Sequence, residues 1–342
     1  MTRRAKKPYV HTVKTIALFA ALVISFALPA GAQGKGGFSF RFSTELFAGL
    51  MQGGGVELVY GASSGAEFLS RLNWDIRPLY YYGAALNLAL DSPAFSPFAR
   101  LTVKSGINGN TGFMEDRDWQ DDDQTYLTDF SRHDNYTSGA LFVEGDLGLG
   151  IRPFTRFRSL TLDFLFRVYW SKVSWEARDG YYQHNKVDGI PSAPAWDPDQ
   201  PRIPVSGAVI DYSQEWLLLA PGFGFDLSFL KSFSLGASLS LSPLIWGAAR
   251  DYHFRSRDKS SYDEYEDYPE GGFYLKPEWR LSFSPSAWVA LSFRGSWTLL
   301  RGSRGFSRRR RAGSTIWEDL GNSSGGAGLE TWDFALGIKI GA

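Results

Sequence analysis

The chain has 342 residues, no cysteine, 36 basic and 36 acidic side chains, and 16% aromatic residues. The lack of cysteine excludes disulfides and thiolate metal sites. The balanced charge argues against nucleic acid as a partner, and no stretch after residue 32 is apolar over the ~20 residues that a spanning helix needs.

The N-terminus reads as an export signal. Residues 1–14 carry Arg3, Arg4, Lys6, Lys7 and Lys14 and no acid, and residues 15–28 are apolar. Pro29-Ala30-Gly31-Ala32 then offers an A-x-A cleavage pattern. A signal peptide over 1–32 is expected, followed by a single β-barrel domain over 33–342 with extracellular loops. Loss of the five bases leaves that remainder at −5.

From there the hydrophobic pattern has a period of two. It predicts an all-β, membrane-spanning, antiparallel up-and-down β-barrel of about ten long strands. They are expected near 37–61, 68–92, 96–119, 135–152, 159–182, 207–230, 232–256, 267–284, 287–305 and 328–341. In the first strand Arg41, Ser43, Glu45 and Glu57 share one parity, which points Glu57 inward. In the third, Arg100, Thr102, Lys104, Asn108, Asp116 and Asp118 share one parity, so both aspartates are expected to face the lumen. In the seventh, Phe233, Leu235, Ala237, Leu239 and Leu241 alternate with Ser234, Gly236, Ser238, Ser240 and Ser242. Such separation of faces is a strand's property, not a helix's. Bulky apolar residues on one face and small polar residues on the other, behind an export signal, read as apolar-out and polar-in. Unpaired backbone groups are not tolerated in a bilayer, so the strands must close. A ten-stranded barrel is narrow, and its lumen is expected to be filled with side chains, which weakens a porin reading.

Two polar clusters sit at the long-loop ends of strands. Met114-Glu115-Asp116-Arg117-Asp118-Trp119 crowns the third strand, and Asp251-Tyr252-His253 crowns the seventh. Residues i and i+2 share a face, so Asp251 and His253 can occupy one wall. Parity counted from Phe233 aims them outward. They reach the cleft only if a bulge intervenes near Pro243 or the strand has left the bilayer there. An imidazole beside a carboxylate can take a proton from water, and two close carboxylates tend to share one proton. Hydrolysis is one reading of these four residues. A solvated acidic loop or a weak calcium site formed with Asp121, Asp122 and Asp123 is the other, although the spacing does not fit an EF-hand. Gly61-Ala62-Ser63-Ser64-Gly65 has the spacing of a nucleophile elbow but lies between strands, where that motif does not work. Arg308-Arg309-Arg310-Arg311 reads as part of a polar loop, either solvated, in contact with lipid phosphates, or open to self-cleavage.

In the stretch MEDRDW through TDFSRH (Met114 to His133), in Asp251-Tyr252-His253, and in GAGLETWDF at 326–334, the sequence resembles the omptins, outer-membrane aspartyl endopeptidases of Gram-negative bacteria. The resemblance covers essentially the whole expected barrel. It implies an endopeptidase in the bacterial outer membrane with its active site facing the extracellular side. It also implies a water activated between an Asp–His dyad (Asp251, His253) and an Asp–Asp pair (Asp116, Asp118). Peptide or protein substrates with basic residues are implied, with Glu57 in the pocket before the cleaved bond and Asp129 near the pocket after it. No metal or cofactor is implied. The lipid partner is outer-membrane lipid, with lipopolysaccharide as a requirement of the family, and Lys172 falls near one position that holds it. One departure stands out: the family's second acid of the first pocket falls at Ala249, which puts strong arginine selectivity in doubt. The rival reading is a non-enzymatic barrel, an adhesin or receptor, on the same scaffold.

Overall fold

In the computed structural model, residues 39–61, 68–120, 126–153, 160–184, 195–302 and 304–341 are described. The expected signal peptide, Asp121 to Asp123 and most of the Gly61–Gly65 segment lie outside them. The described residues form ten antiparallel staves, several of them broken in two. They are β1 (Ser39–Val59), β2 (Ser70–Asp91), β3 (Phe95–Gly106) with β4 (Gly109–Asp118), β5 (Asp129–Ile151) and β6 (Leu160–His184). A short β7 (Ile203–Pro204) precedes β8 (Ala208–Phe229). Then come β9 (Phe233–Ser242) with β10 (Ile245–Phe254), β11 (Tyr262–Tyr268) with β12 (Gly272–Phe283), β13 (Val289–Gly302) with β14 (Gly305–Arg310), and β15 (Glu318–Gly341). Each stave pairs with the next, and β15 returns to β1, with Glu45 opposite Lys339 and Glu57 opposite Ala327. The ring therefore has no open edge.

The staves are long because they do more than cross a bilayer. β1 has 21 residues and β6 has 25, about twice the ~9–11 a tilted spanning strand requires. The outward apolar side chains lie toward the short-turn end, among them Phe40, Phe42, Leu46, Phe164, Phe223, Leu291, Leu336 and Ile338. Exposed Tyr80, Tyr82, Trp246 and Trp332 edge that band, as amphipathic rings do at a membrane interface. Above them the staves continue with polar faces on both sides.

The lumen is filled in two layers. The lower is a charge-paired plug. Arg167 holds Asp146 with two bonds, 2.7 and 3.0 Å, and Glu278 at 2.5 Å. Lys276 reaches Glu144 at 2.5 Å and Glu278 at 3.0 Å. Lys104 donates to Asp333 at 3.1 Å, and Tyr81 and Ser296 donate to the same carboxylate. Over the plug lies an aromatic layer in which Tyr212 stacks on Trp74 and Trp175, with ring centroids 5.1 and 5.8 Å apart.

The structure moves several expected boundaries, all toward the long loops. The fourth, eighth and tenth staves begin at Asp129, Tyr262 and Glu318, not near 135, 267 and 328. In these extensions both faces are polar, so the apolar alternation that marks a membrane strand is missing. For the same reason the arginine run was misplaced. Arg308, Arg309 and Arg310 belong to β14, paired with β11 and β15, and only Arg311 lies beyond the strand. Arg308 and Arg310 pair with Glu266 and Glu264, while Arg309 and Arg311 share Glu318. Asn108 is exposed between β3 and β4 and does not face the lumen.

Candidate active site

The long-loop end of the barrel is a cleft whose walls are strand ends, and each wall is set by a local irregularity. On the third stave, buried Lys104 and Thr102 face inward. The break between β3 and β4 turns the parity, so that Thr111 is the buried residue and bonds Thr137 at 2.9 Å. A bulge between Asn110 and Gly112 turns it back. Gly112 has a φ of 112°, a conformation that needs glycine. The two shifts cancel, so Asp116 and Asp118 face the cleft as simple parity expects.

On the seventh stave a single shift does not cancel. Buried Ser242 ends β9 and buried Ile245 starts β10. The intervening Pro243, which has no N–H to give a ladder, lies with Leu244 in the break, where Ser242 Oγ accepts from the Leu244 N–H at 2.9 Å. The inward face therefore passes from even to odd numbers, and Ala249, Asp251 and His253 turn to the lumen. The bulge required near Pro243 is present.

The four residues meet. His253 Nε2 lies 2.6 Å from Asp251 Oδ2, and its ring packs against Tyr265, centroids 5.1 Å apart. Asp251 is buried, while His253 is 38% exposed and open to the cleft. Asp116, Asp118 and His253 line one cavity of about 230 Å³. Ser70 Oγ donates to Asp116 Oδ1 at 3.0 Å. Burial, and then the neighbouring Asp118, pushes the Asp116 carboxyl well above its ordinary range, and burial raises Asp118 as well. Neighbouring like charges do not both ionise readily, so such a pair is suited to holding a proton.

Glu57 and Asp129 also face the site. Glu57 is buried, and its carboxylate, that of Asp251 and a ring nitrogen of His253 all converge within 4.8 Å of one another. Those three atoms would suit a divalent cation by donor type. Burial, then the neighbouring Asp251 and Asp267, push the Glu57 carboxyl well above its ordinary range. Asp129 accepts from Thr128 at 2.9 Å and pairs with His184 Nδ1 at 2.8 Å. It lines the same cavity as Asp116 and Asp118. This second Asp–His contact was missed in the sequence, because His184 comes from the next stave, 55 residues away. His133 bonds the Asp179 carbonyl and Ser131, and burial pushes its pKa down.

The omptin family profile matches residues 39–340. The chain belongs to the omptin family. Membership places this omptin among outer-membrane β-barrel proteases. Among solved structures, the omptin barrel is similar to the outer membrane protease OmpT from Escherichia coli. The TM-score is 0.74 at 20% identity, covering 89% of this chain and 98% of that one, a likeness of fold. The toluene transporter TodX of Pseudomonas putida aligns over 88% of this omptin and 90% of its own chain, at 9% identity and a TM-score of 0.29. That is too low to carry an argument. No curated protein matches in sequence.

Proposed function

We propose that this omptin is an endopeptidase that hydrolyses peptide bonds next to basic residues, with its cleft on the extracellular side. The observation that carries the reading is the Asp251–His253 contact of 2.6 Å set across one cavity from Asp116 and Asp118. A water between the two groups gives up a proton to His253 as its oxygen attacks the peptide carbonyl carbon. Asp251 orients the ring and offsets the imidazolium charge. The proton held by the Asp116–Asp118 pair is placed to bond the developing oxyanion. His253 then passes its proton to the leaving amine, and the carbon–nitrogen bond breaks. No metal or serine nucleophile is needed, although Glu57, Asp251 and His253 would be the set to hold a cation.

The acidic lining supports a basic substrate, with Glu57 facing the residue before the cut and Asp129 the residue after it. Lipopolysaccharide is the proposed activating lipid. Lys172 stands directly opposite Glu215, whose carboxylate accepts from the Trp170 ring N–H at 3.0 Å.

The test is to incubate refolded protein, with and without lipopolysaccharide, with a peptide library and to read the cut sites by mass spectrometry. Cuts beside Lys or Arg that resist chelators and serine-directed reagents are expected. Intact peptides under every condition would return the reading to a non-enzymatic barrel, and loss of cleavage on chelation would favour the cation.

A further inference from the structure

We propose that Asp267 is the second carboxylate of the pocket that takes the substrate's basic side chain, making Glu57 and Asp267 the specificity-determining pair. This deepens the endopeptidase reading above and rests on it. The sequence leaves that pocket one acid short, because position 249 is alanine. The register supplies the acid from the next stave. Ala249 of β10 stands directly opposite Asp267 of β11, and directly opposed residues of antiparallel strands point to the same face. Both are buried, at 4% exposure each, and Ala249 shares the parity of Asp251 and His253, so that face is the lumen. The next inward pair toward the rim is Asp251 with Tyr265. Asp267 therefore sits one inward position below the Asp251–His253 dyad, a depth of ~7 Å by strand rise, within the reach of a lysine or arginine side chain.

The surroundings have the character of an unfilled cation site. Glu57 Oε2 is buried and has no hydrogen-bond partner among the described residues. Burial, then Asp251 and Asp267, push the Glu57 carboxyl well above its ordinary range, and only His253 among its main neighbours opposes them. Burial, and next Asp267, does the same to Asp251. Asp267 itself is pushed up to about 6 by burial, although Ser307 donates to it. No lysine or arginine is among the strongest influences on any of the three. This contrasts with the plug below, where each buried acid meets a cation. Gly325 makes room for the Asp267 carboxylate. A Cβ there would fall 2.1 Å from Asp267 Oδ1, so a side chain would take the space the carboxylate occupies. A guanidinium offers a planar fork of donors that two carboxylates can share. The arginine preference that Ala249 puts in doubt is thus restored from β11.

The experiment uses the refolded full chain and two peptides that differ only in Arg or norleucine before the cut bond. The ratio of their kcat/KM values reads the pocket, and the ratio of their affinities for a His253→Ala protein, by calorimetry in detergent, reads it without reaction. Asp267→Asn is expected to lower both ratios about ten- to hundred-fold. Adding Ala249→Asp to that variant should restore them by returning a carboxylate to the same face. Far-UV spectra check that each variant is folded. Unchanged ratios in Asp267→Asn, or a fall that Ala249→Asp does not reverse, would overturn the proposal. If wild type cuts neither peptide, the endopeptidase reading fails, while the affinity ratio still decides the role of Asp267.

Discussion

The two ends of the lumen hold the same kinds of residue in opposite arrangements. In the plug, Arg167, Lys276 and Lys104 interleave with Asp146, Glu278, Glu144 and Asp333, so that each buried charge meets an opposite one. In the cleft, Glu57, Asp116, Asp118, Asp251 and Asp267 crowd together, and no lysine or arginine is among the strongest influences on any of them. Paired charges lock a narrow barrel shut and need nothing further. Unpaired acids cost stability and persist where they hold protons or await a cation. The barrel thus separates, along its own axis, the charges that fix its structure from those that can do chemistry.

The largest expected effect breaks the cleft side. Asp251→Asn and His253→Ala should each lower kcat/KM by about 10³-fold or more, with unfolding midpoints in detergent close to wild type. Near wild-type cleavage by His253→Ala would remove it as the base.

Next comes the plug. Arg167→Met takes from Asp146 its two-bond partner, leaving only Arg100 at 3.6 Å, and leaves Glu278 to Lys276 alone, a change that costs about 3–5 kcal/mol. Denaturant unfolding in detergent should register it, while the protein that remains folded keeps cutting. A variant as stable as wild type would mean that the pairs contribute nothing net.

A smaller effect concerns pH. Asp267 binds its proton more tightly in the folded state, at about 6, than the unfolded chain does near the ordinary 3.8. Stability from this group is therefore full at low pH and is lost as pH rises through about 6. Asp267→Asn abolishes that loss. The variant should gain on wild type between pH 4 and 7, by up to about 3 kcal/mol for a group this buried. Parallel unfolding curves at all pH values would contradict the assignment.

The smallest effect is close to zero. The Arg308–Arg310 bonds lie in a paired strand and should resist self-cleavage, which leaves the Arg311–Ala312 bond as the exposed candidate. Mass spectrometry of concentrated enzyme after long incubation checks this, and rapid nicking at Arg309 would show that β14 opens.

What was legible in the sequence followed the bilayer. Where a strand crosses lipid, one face must be apolar, and staves such as β9 and β13 announced themselves by alternation. Above the lipid that constraint ends, and with it the signal. β11 reads Asp263, Glu264, Tyr265, Glu266, Asp267, acids on both faces, so the expected strand starts only at 267 and nothing in the local pattern singles out Asp267. Parity served Asp116 and Asp118 only because two irregularities cancel, and it aimed Asp251 and His253 outward until a proline-centred break reversed them. His184 became part of the site through a pairing across 55 residues, which no local motif encodes.

The division between the two ends is tested most directly by measuring peptide cleavage and unfolding free energy on the same preparations of Asp116→Asn and Arg167→Met. Asp116→Asn is expected to lose cleavage by orders of magnitude and keep its stability, while Arg167→Met loses stability and keeps cleavage. An Asp116→Asn protein that cuts peptides at the wild-type rate would contradict it.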